Sequence, residues 1–146
     1  VVKIRIGTMI DASPAETWRV VEQLERHVDW MADAESIRFV GSQTRGEGTT
    51  FDCITKVGPV RLTDRMTVIE WEAGKLVGIE HRGVVTGRGR FTLRRRRGGR
   101  TWFQWNERLT FPWWMGGPVG AIAAKPVLRR IWRHNLLRLK SIVEAT

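Results

Sequence analysis

The strongest constraint on the fold is a run of period-two alternation from Ser36 to Phe111. It is broken by turn signals at Gly46-Glu47-Gly48, Gly58-Pro59, Ala73-Gly74-Lys75, Val85-Thr86-Gly87 and Gly98-Gly99. Successive side chains of a strand point to opposite faces, so this run predicts about six antiparallel strands joined by hairpins. The apolar residues keep one parity within each strand: Ile37 and Phe39; Phe51, Cys53 and Val57; Leu62, Met66 and Val68; Val77 and Ile79; Phe91 and Leu93; Phe103, Trp105, Leu109 and Phe111. The other parity is mostly Arg, Lys, Thr and Gln. A sheet with one wet face and one apolar face cannot stand alone, and the rest of the chain must supply its cover.

Residues 2 to 10 alternate as a further strand, with Val2, Ile4, Ile6 and Ile10 on one side. Ser13-Pro14-Ala15-Glu16 then places Ser at a helix N-cap, Pro at the first helical position and Glu three residues after the Ser. The helix that starts there carries Trp18, Val21 and Leu24 on one stripe and is expected to stop near Arg26, with a second short helix or turn from His27 to Met31. At the other end of the chain Leu128, Ile131, Trp132, Leu136, Leu139, Ile142 and Val143 recur at helical spacing, and this amphipathic helix is the cover. Pro126 suits its first turn; a start nearer Pro118 predicts a kink at Pro126. The fold class is α+β, with a curved antiparallel sheet of about seven strands closed by a long C-terminal helix.

The 146 residues fit a single domain, 1–146, and 42% hydrophobic content is enough to bury a core. No apolar run approaches the roughly 18 residues that cross a bilayer. The alternating N-terminus does not resemble a signal peptide, so the expected location is cytoplasmic. With Cys53 the only cysteine there is no internal disulfide and no Cys-based metal site; at apolar parity it reads as a small buried residue. The net charge of +10 favours anionic partners. Its excess lies in Arg94-Arg95-Arg96-Arg97-Gly98-Gly99-Arg100 and along the last helix at Arg129, Arg130, Arg133, Arg138 and Lys140.

The order of elements resembles the helix-grip fold of the Bet v 1-like or START-like (SRPBCC) superfamily, most closely its bacterial polyketide cyclase/dehydrase-type proteins. The residues that carry the likeness are Ile10-Asp11-Ala12-Ser13-Pro14-Ala15-Glu16-Thr17-Trp18 followed by Trp30; the Gly46/Gly48 turn; Gly87-Arg88-Gly89-Arg90-Phe91; Thr101 to Leu109 with Trp105-x-Glu107; and Leu136-Leu137-Arg138-Leu139-Lys140. It spans essentially the whole chain. The resemblance implies a deep cavity between the concave sheet face and the long helix, entered near the first helices and the loop before the last one. It also implies functions ranging from lipid and hormone binding to aromatase/cyclase chemistry. On that mapping Pro112-Trp113-Trp114-Met115-Gly116-Gly117 lies at the mouth. There a large apolar run followed by glycines suits a gate or a lipid-dipping loop, or alternatively a plug packed on the helix.

Parity and helical spacing nominate the pocket lining: Phe51, Cys53, Met66, Val68, Ile79, Phe91, Phe103, Trp105 and Leu109 from the sheet, Leu128, Ile131, Trp132 and Asn135 from the helix, and Trp114 at the mouth. Three titratable groups share the inward parity: Asp64 with Leu62, Met66 and Val68; His81 with Val77 and Ile79; Glu107 between Trp105 and Leu109. A carboxylate among Trp and Leu is expected to have a raised pKa, which makes Glu107 the first candidate for general acid–base work. His81 titrates in the useful range and adjacent strands could bring it alongside. Such a pair would permit enolisation, aldol-type cyclisation or dehydration of a carbonyl compound without a metal. Cyclases of this resemblance are thought to work largely by shaping the substrate. The competing expectation is structural: Asp64 paired with Arg61, Arg65 or Arg82, and Glu107 and His81 as satisfied polar groups.

His27, His81 and His134 lack metal spacing, and there is no P-loop, Gly-x-Ser-x-Gly or dinucleotide fingerprint, so neither metal nor cofactor is expected. Gly87-Arg88-Gly89 reads as a turn. Two functions stand as expectations: a binder or carrier of a hydrophobic small molecule (a lipid, polyketide or aromatic compound), and a cyclase/dehydrase-like enzyme. For the basic surface an anionic membrane is favoured as a partner over nucleic acid, because no RNP-like or helix-turn-helix pattern accompanies the arginines; the competing expectation, which leads, is a surface tuned for solubility or for an acidic protein partner.

Overall fold

The computed structural model describes residues 1–146. β1 (Val2–Ile10) leads into α1 (Pro14–Val21) and a 3-10 turn at Leu24–Asp29. The meander follows as β2 (Ala34–Phe39), β3 (Thr50–Val57), β4 (Val60–Glu72), β5 (Leu76–Arg82), β6 (Thr86–Arg95) and β7 (Thr101–Thr110). A 3-10 turn at Trp113–Met115 precedes α2 (Gly117–Ala145). All seven strands form one antiparallel sheet in the order β1-β7-β6-β5-β4-β3-β2. The first strand thus closes onto the last strand of the meander, with Val2 opposite Leu109 and Ile10 opposite Thr101. This is the α+β helix-grip architecture that the alternation and the amphipathic C-terminus called for.

Local chemistry explains the element ends. Ser13 Oγ accepts from the Glu16 backbone N–H at 3.1 Å and lies 3.0 Å from Glu16 Oε1, so the Glu side chain meets the Ser hydroxyl itself. α1 is shorter than its apolar stripe suggested. The Val21 carbonyl, which would continue the helix, instead lies 2.7 Å from His27 Nε2, and the chain tightens into the 3-10 turn. At the far end α2 starts at Gly117 and runs through Pro126, nine residues earlier than a start at that proline.

Two departures from simple alternation matter for the site. Between Val68 and Glu70 the β4–β5 register slips by one residue, a bulge that brings Trp71 opposite Val77 on the inner face and under Trp18 of α1, with ring centroids 5.0 Å apart. The turn expected at Val85-Thr86-Gly87 lies earlier, at residues 83–85, and Gly87-Arg88-Gly89 is strand: Gly87 pairs with His81 and Leu109, and Gly89 with Ile79 and Glu107.

α2 covers the sheet unevenly. In its C-terminal half Leu136, Leu139 and Val143 are buried and pack on β1, each contributing about 1.5–3 kcal/mol through area removed from water. Asn135, fully buried, donates to Asp33 Oδ1 at 2.8 Å and accepts from the Ala32 N–H at 2.9 Å, pinning the segment before β2 to the helix. Further toward its N-terminus the helix stands off the sheet, and a cavity opens beneath it.

Candidate functional site

The cavity measures about 280 Å³, and 20 of its 28 lining residues are hydrophobic. It is near the small end of the roughly 300–1,000 Å³ range of small-molecule sites. One wall is the concave sheet face of β2 to β7; the other is the stripe Ala124, Leu128 and Trp132 of α2, spaced one helical turn apart. Trp132 stacks on Trp105 with centroids 4.7 Å apart and planes 18° from parallel, so paired indoles join helix to sheet at the cavity's inner limit. The opposite limit is formed by Val57 and Val60 of the β3–β4 hairpin, Val85, Phe111 and Met115, of which Val60 is 45% exposed. This rim is the mouth. α1 contributes nothing to the lining, and of the first helical segments only His27 does.

The three inward titratable groups all reach this cavity. His81 Nε2 lies 3.1 Å from Glu107 Oε2, and Trp105 Nε1 donates to Glu107 Oε1 at 3.0 Å. His81 is on β5 and Glu107 on β7, so the strands are not neighbours as adjacency reasoning assumed; β6 lies between them. The contact exists because β6 presents Gly87 and Gly89 on this face. A Cβ at Gly89 would stand under 3.0 Å from both Glu107 carboxylate oxygens, so the carboxylate occupies space that any side chain would fill. The Gly-Arg-Gly segment is therefore a gap in the wall through which two distant strands exchange a hydrogen bond.

Asp64 has no arginine partner. Arg61 bonds Glu35 at 2.7 Å, Arg65 bonds Asp52 at 2.9 Å and Arg82 pairs with Glu80, all on the solvent face, because Arg61 and Arg65 are at odd spacing from Asp64, and Arg82 from the inward His81, and so point the other way. Asp64 Oδ1 accepts from the Val84 backbone N–H at 3.0 Å at the β5–β6 turn. Burial pushes its carboxyl above the usual carboxylate range, against the His81 charge and the Val84 and Val85 N–H groups that hold it down. For His81, burial opposes the charged imidazolium, but the charge and hydrogen bond of Glu107, with Asp64 behind it, outweigh burial and raise its pKa above 6.5.

Of the lining nominated from sequence, Phe51, Cys53, Met66, Ile79, Phe91, Trp105, Leu109, Leu128 and Trp132 face the cavity. Five do not. Val68 lies beside the β4 bulge, 1% exposed in the solid part of the core. Phe103 packs at 5.4 Å from Phe91 and 6.4 Å from Trp30. Asn135 is taken up by its bonds to Asp33 and the Ala32 N–H, and Ile131 packs against the core beside the cavity without lining it. Trp114 points outward and is 59% exposed, as is Trp113 at 86%, so the Trp-Trp pair is not a plug. Cys53 carries a thiol pushed up to about 11 by burial and is inert at neutral pH.

Sequence reasoning missed four polar lining residues, of which Thr55 is a neutral hydroxyl on β3. Asp33 accepts from Trp132 Nε1 at 3.0 Å and from Asn135 Nδ2 at 2.8 Å. His27 is held neutral, its pKa lowered to about 4 chiefly by burial. Arg90 reaches the lining, while its guanidinium bonds the Glu70 carboxylate at 2.7 and 2.8 Å. No group of three His, Cys, Asp or Glu is placed to hold a metal ion.

The model of the family described as polyketide cyclase / dehydrase and lipid transport matches residues 2–144. The chain belongs to this family. Among solved structures similar to this chain is TTHA0849 from Thermus thermophilus, 17% identical over 99% of this chain and 98% of that one, with a TM-score of 0.81. The Zhui aromatase/cyclase from Streptomyces is 12% identical over 98% and 93%, with a TM-score of 0.74. The di-domain ARO/CYC StfQ of the steffimycin biosynthetic pathway is 13% identical; the match covers 97% of this chain and 44% of that one at a TM-score of 0.72. At these identities the likeness is one of fold. No curated protein matches the family member described here at the sequence level.

Proposed function

We propose that the chain binds a hydrophobic small molecule, a lipid, polyketide or aromatic compound, in the cavity between sheet and α2, and acts as its binder or carrier. The observation that carries this reading is the cavity itself: about 280 Å³, with 20 of 28 lining residues hydrophobic, beneath the part of α2 that stands off the sheet. Membership of a family that includes lipid transport supports it. The test is native mass spectrometry of the purified protein with organic extraction, beside Leu128→Trp, which fills the space from the helix side. Wild type is expected to carry or take up an apolar compound and Leu128→Trp to take up none. Equal uptake by both would place binding elsewhere.

One observation favours a second reading, a cyclase/dehydrase-like enzyme: the His81–Glu107 hydrogen bond on the cavity wall joins a proton donor and acceptor of different basicity where a carbonyl compound would lie. There Glu107 would take a proton next to a carbonyl and His81 return one to the oxygen, with the apolar walls folding the substrate. Glu107→Gln is expected to abolish turnover and leave ligand affinity within about threefold; turnover unchanged would leave the pair a structural one.

The rim of the mouth supports ligand exchange at an anionic membrane surface. Trp113, Trp114, Val119 and Ile122 are exposed there, and no acidic residue occurs between Glu107 and Glu144, while Lys125, Arg129, Arg130 and Arg133 do.

A further inference from the structure

The ligand's apolar part is provided for by the walls, but the charged groups left to meet its polar end are mostly carboxylates. Three carboxylates, Asp33, Asp64 and Glu107, reach the cavity, and Asp64 and Glu107 are only 6% and 7% exposed. Against them stand three groups that could carry positive charge. Arg90 is tied to Glu70, and His27 is fully buried with its ring bonded to the Val21 carbonyl. That leaves the His81 imidazole, already bonded to Glu107. Even with His81 charged, two carboxylates remain uncompensated. Asp33 is satisfied by the neutral donors of Trp132 and Asn135, whereas Asp64 receives only backbone N–H groups at the β5–β6 turn and no side chain donates to it. The arginines that could have neutralised it all lie across the sheet in water, where their influence is screened.

An anionic head in this apolar space would meet like charge at short range and lose its own hydration. A donor would find acceptors already stripped of water. From the placement of Asp64, Glu107 and His81 on one wall of an otherwise apolar cavity, we infer that the ligand is an amphiphile whose polar end donates hydrogen bonds and carries no negative charge, a basic amine first and a hydroxyl second, and that carboxylates and phosphates are excluded. This rests on the proposal that the cavity binds hydrophobic molecules, and it names the class of polar end that such a molecule must have.

Matched ten-carbon probes separate the two statements. Decylamine, decanol and decanoate are titrated against the full chain at neutral pH, below their micelle concentrations, by calorimetry and by the fluorescence of the cavity tryptophans. The expected order is decylamine, then decanol, then decanoate, with at least about tenfold between amine and carboxylate, the scale of one hydrogen bond to a charged group. In Asp64→Asn, which keeps the shape and removes the charge, the gap is expected to close by about tenfold, while decanol stays within about threefold of wild type. Decanoate binding as tightly as decylamine would overturn the inference and leave the cavity proposal standing. An amine preference that Asp64→Asn leaves intact would overturn the assigned origin. No heat and no fluorescence change with any probe would overturn both.

Discussion

Burial acts on two imidazoles that line one cavity, with opposite outcomes. For His27 it dominates: the pKa falls from 6.5 to about 4, so the unfolded chain binds the proton more tightly. Its stabilising contribution is therefore complete above pH 6.5 and is lost as pH falls through about 4, on the order of 3 kcal/mol. For His81 the partners dominate and the pKa lies above 6.5, so its contribution is complete below that value and is lost as pH rises through the raised folded pKa. Urea unfolding across this range is expected to show the acid limb vanish in His27→Gln, with the alkaline limb kept. The second expectation isolates a single contact. In Glu107→Gln the charge that raises the His81 pKa is gone while burial, its largest influence, remains, so the imidazole should titrate below 6.5 by NMR. A His81 titration that does not move would show that Glu107 is not what holds its proton.

At the scale of elements, β6 is the strand on which the His81–Glu107 contact depends through the side chains it lacks at Gly87 and Gly89. Gly89→Ala is expected to push the Glu107 carboxylate off His81, lower the His81 pKa and destabilise the fold by about 1–3 kcal/mol. Arg88→Ala, on the exposed face of the same strand, should leave both within error, and His81 NMR titration with chemical unfolding reads the two effects. What the sequence revealed about this region divides along physical lines. Inward parity placed Asp64, His81 and Glu107 because alternation is a local property of every strand. The pairing of His81 with Glu107 was anticipated, but its route across β6 was not legible, because a Gly-x-Gly in a strand has the same composition as a turn, and its meaning comes from what lies opposite on β7. The β4 bulge was hidden for the same reason, since a register slip shows only against the partner strand. Asp64's lack of an arginine was readable in principle: Arg61 and Arg65 are at odd spacing from it and so belong to the other face. The Asp33–Asn135–Trp132 cluster joins residues about a hundred positions apart, and no local pattern announces it.

Over the whole molecule, the arginines lie on the outer sheet face, several paired with carboxylates there, and along α2, while Asp33, Asp64 and Glu107 face the cavity. The RRRRGGR hairpin is remote from the mouth, since Arg95 pairs with Thr101 at one end of the β6–β7 ladder and Thr86 with Thr110 at the other. Membrane attachment should therefore depend on the rim. Trp113 and Trp114 changed together to Ser are expected to reduce flotation with anionic vesicles at least about fivefold, with little change in thermal stability because both side chains are solvated. Arg95 and Arg97 changed to Gln should matter less, and equal loss from both pairs would argue for charge alone. The closure of β1 onto β7 also sets an order of events during synthesis. Val2 finds its place only opposite Leu109, and at about 5–20 residues per second a ribosome takes roughly 5–20 s to make the chain between them. Through that interval Ile4, Ile6 and Ile10 form an apolar strand with no sheet to join. A pause in translation before β7 is complete would prolong the time for which a chaperone, or another unfinished copy, can claim the first strand made.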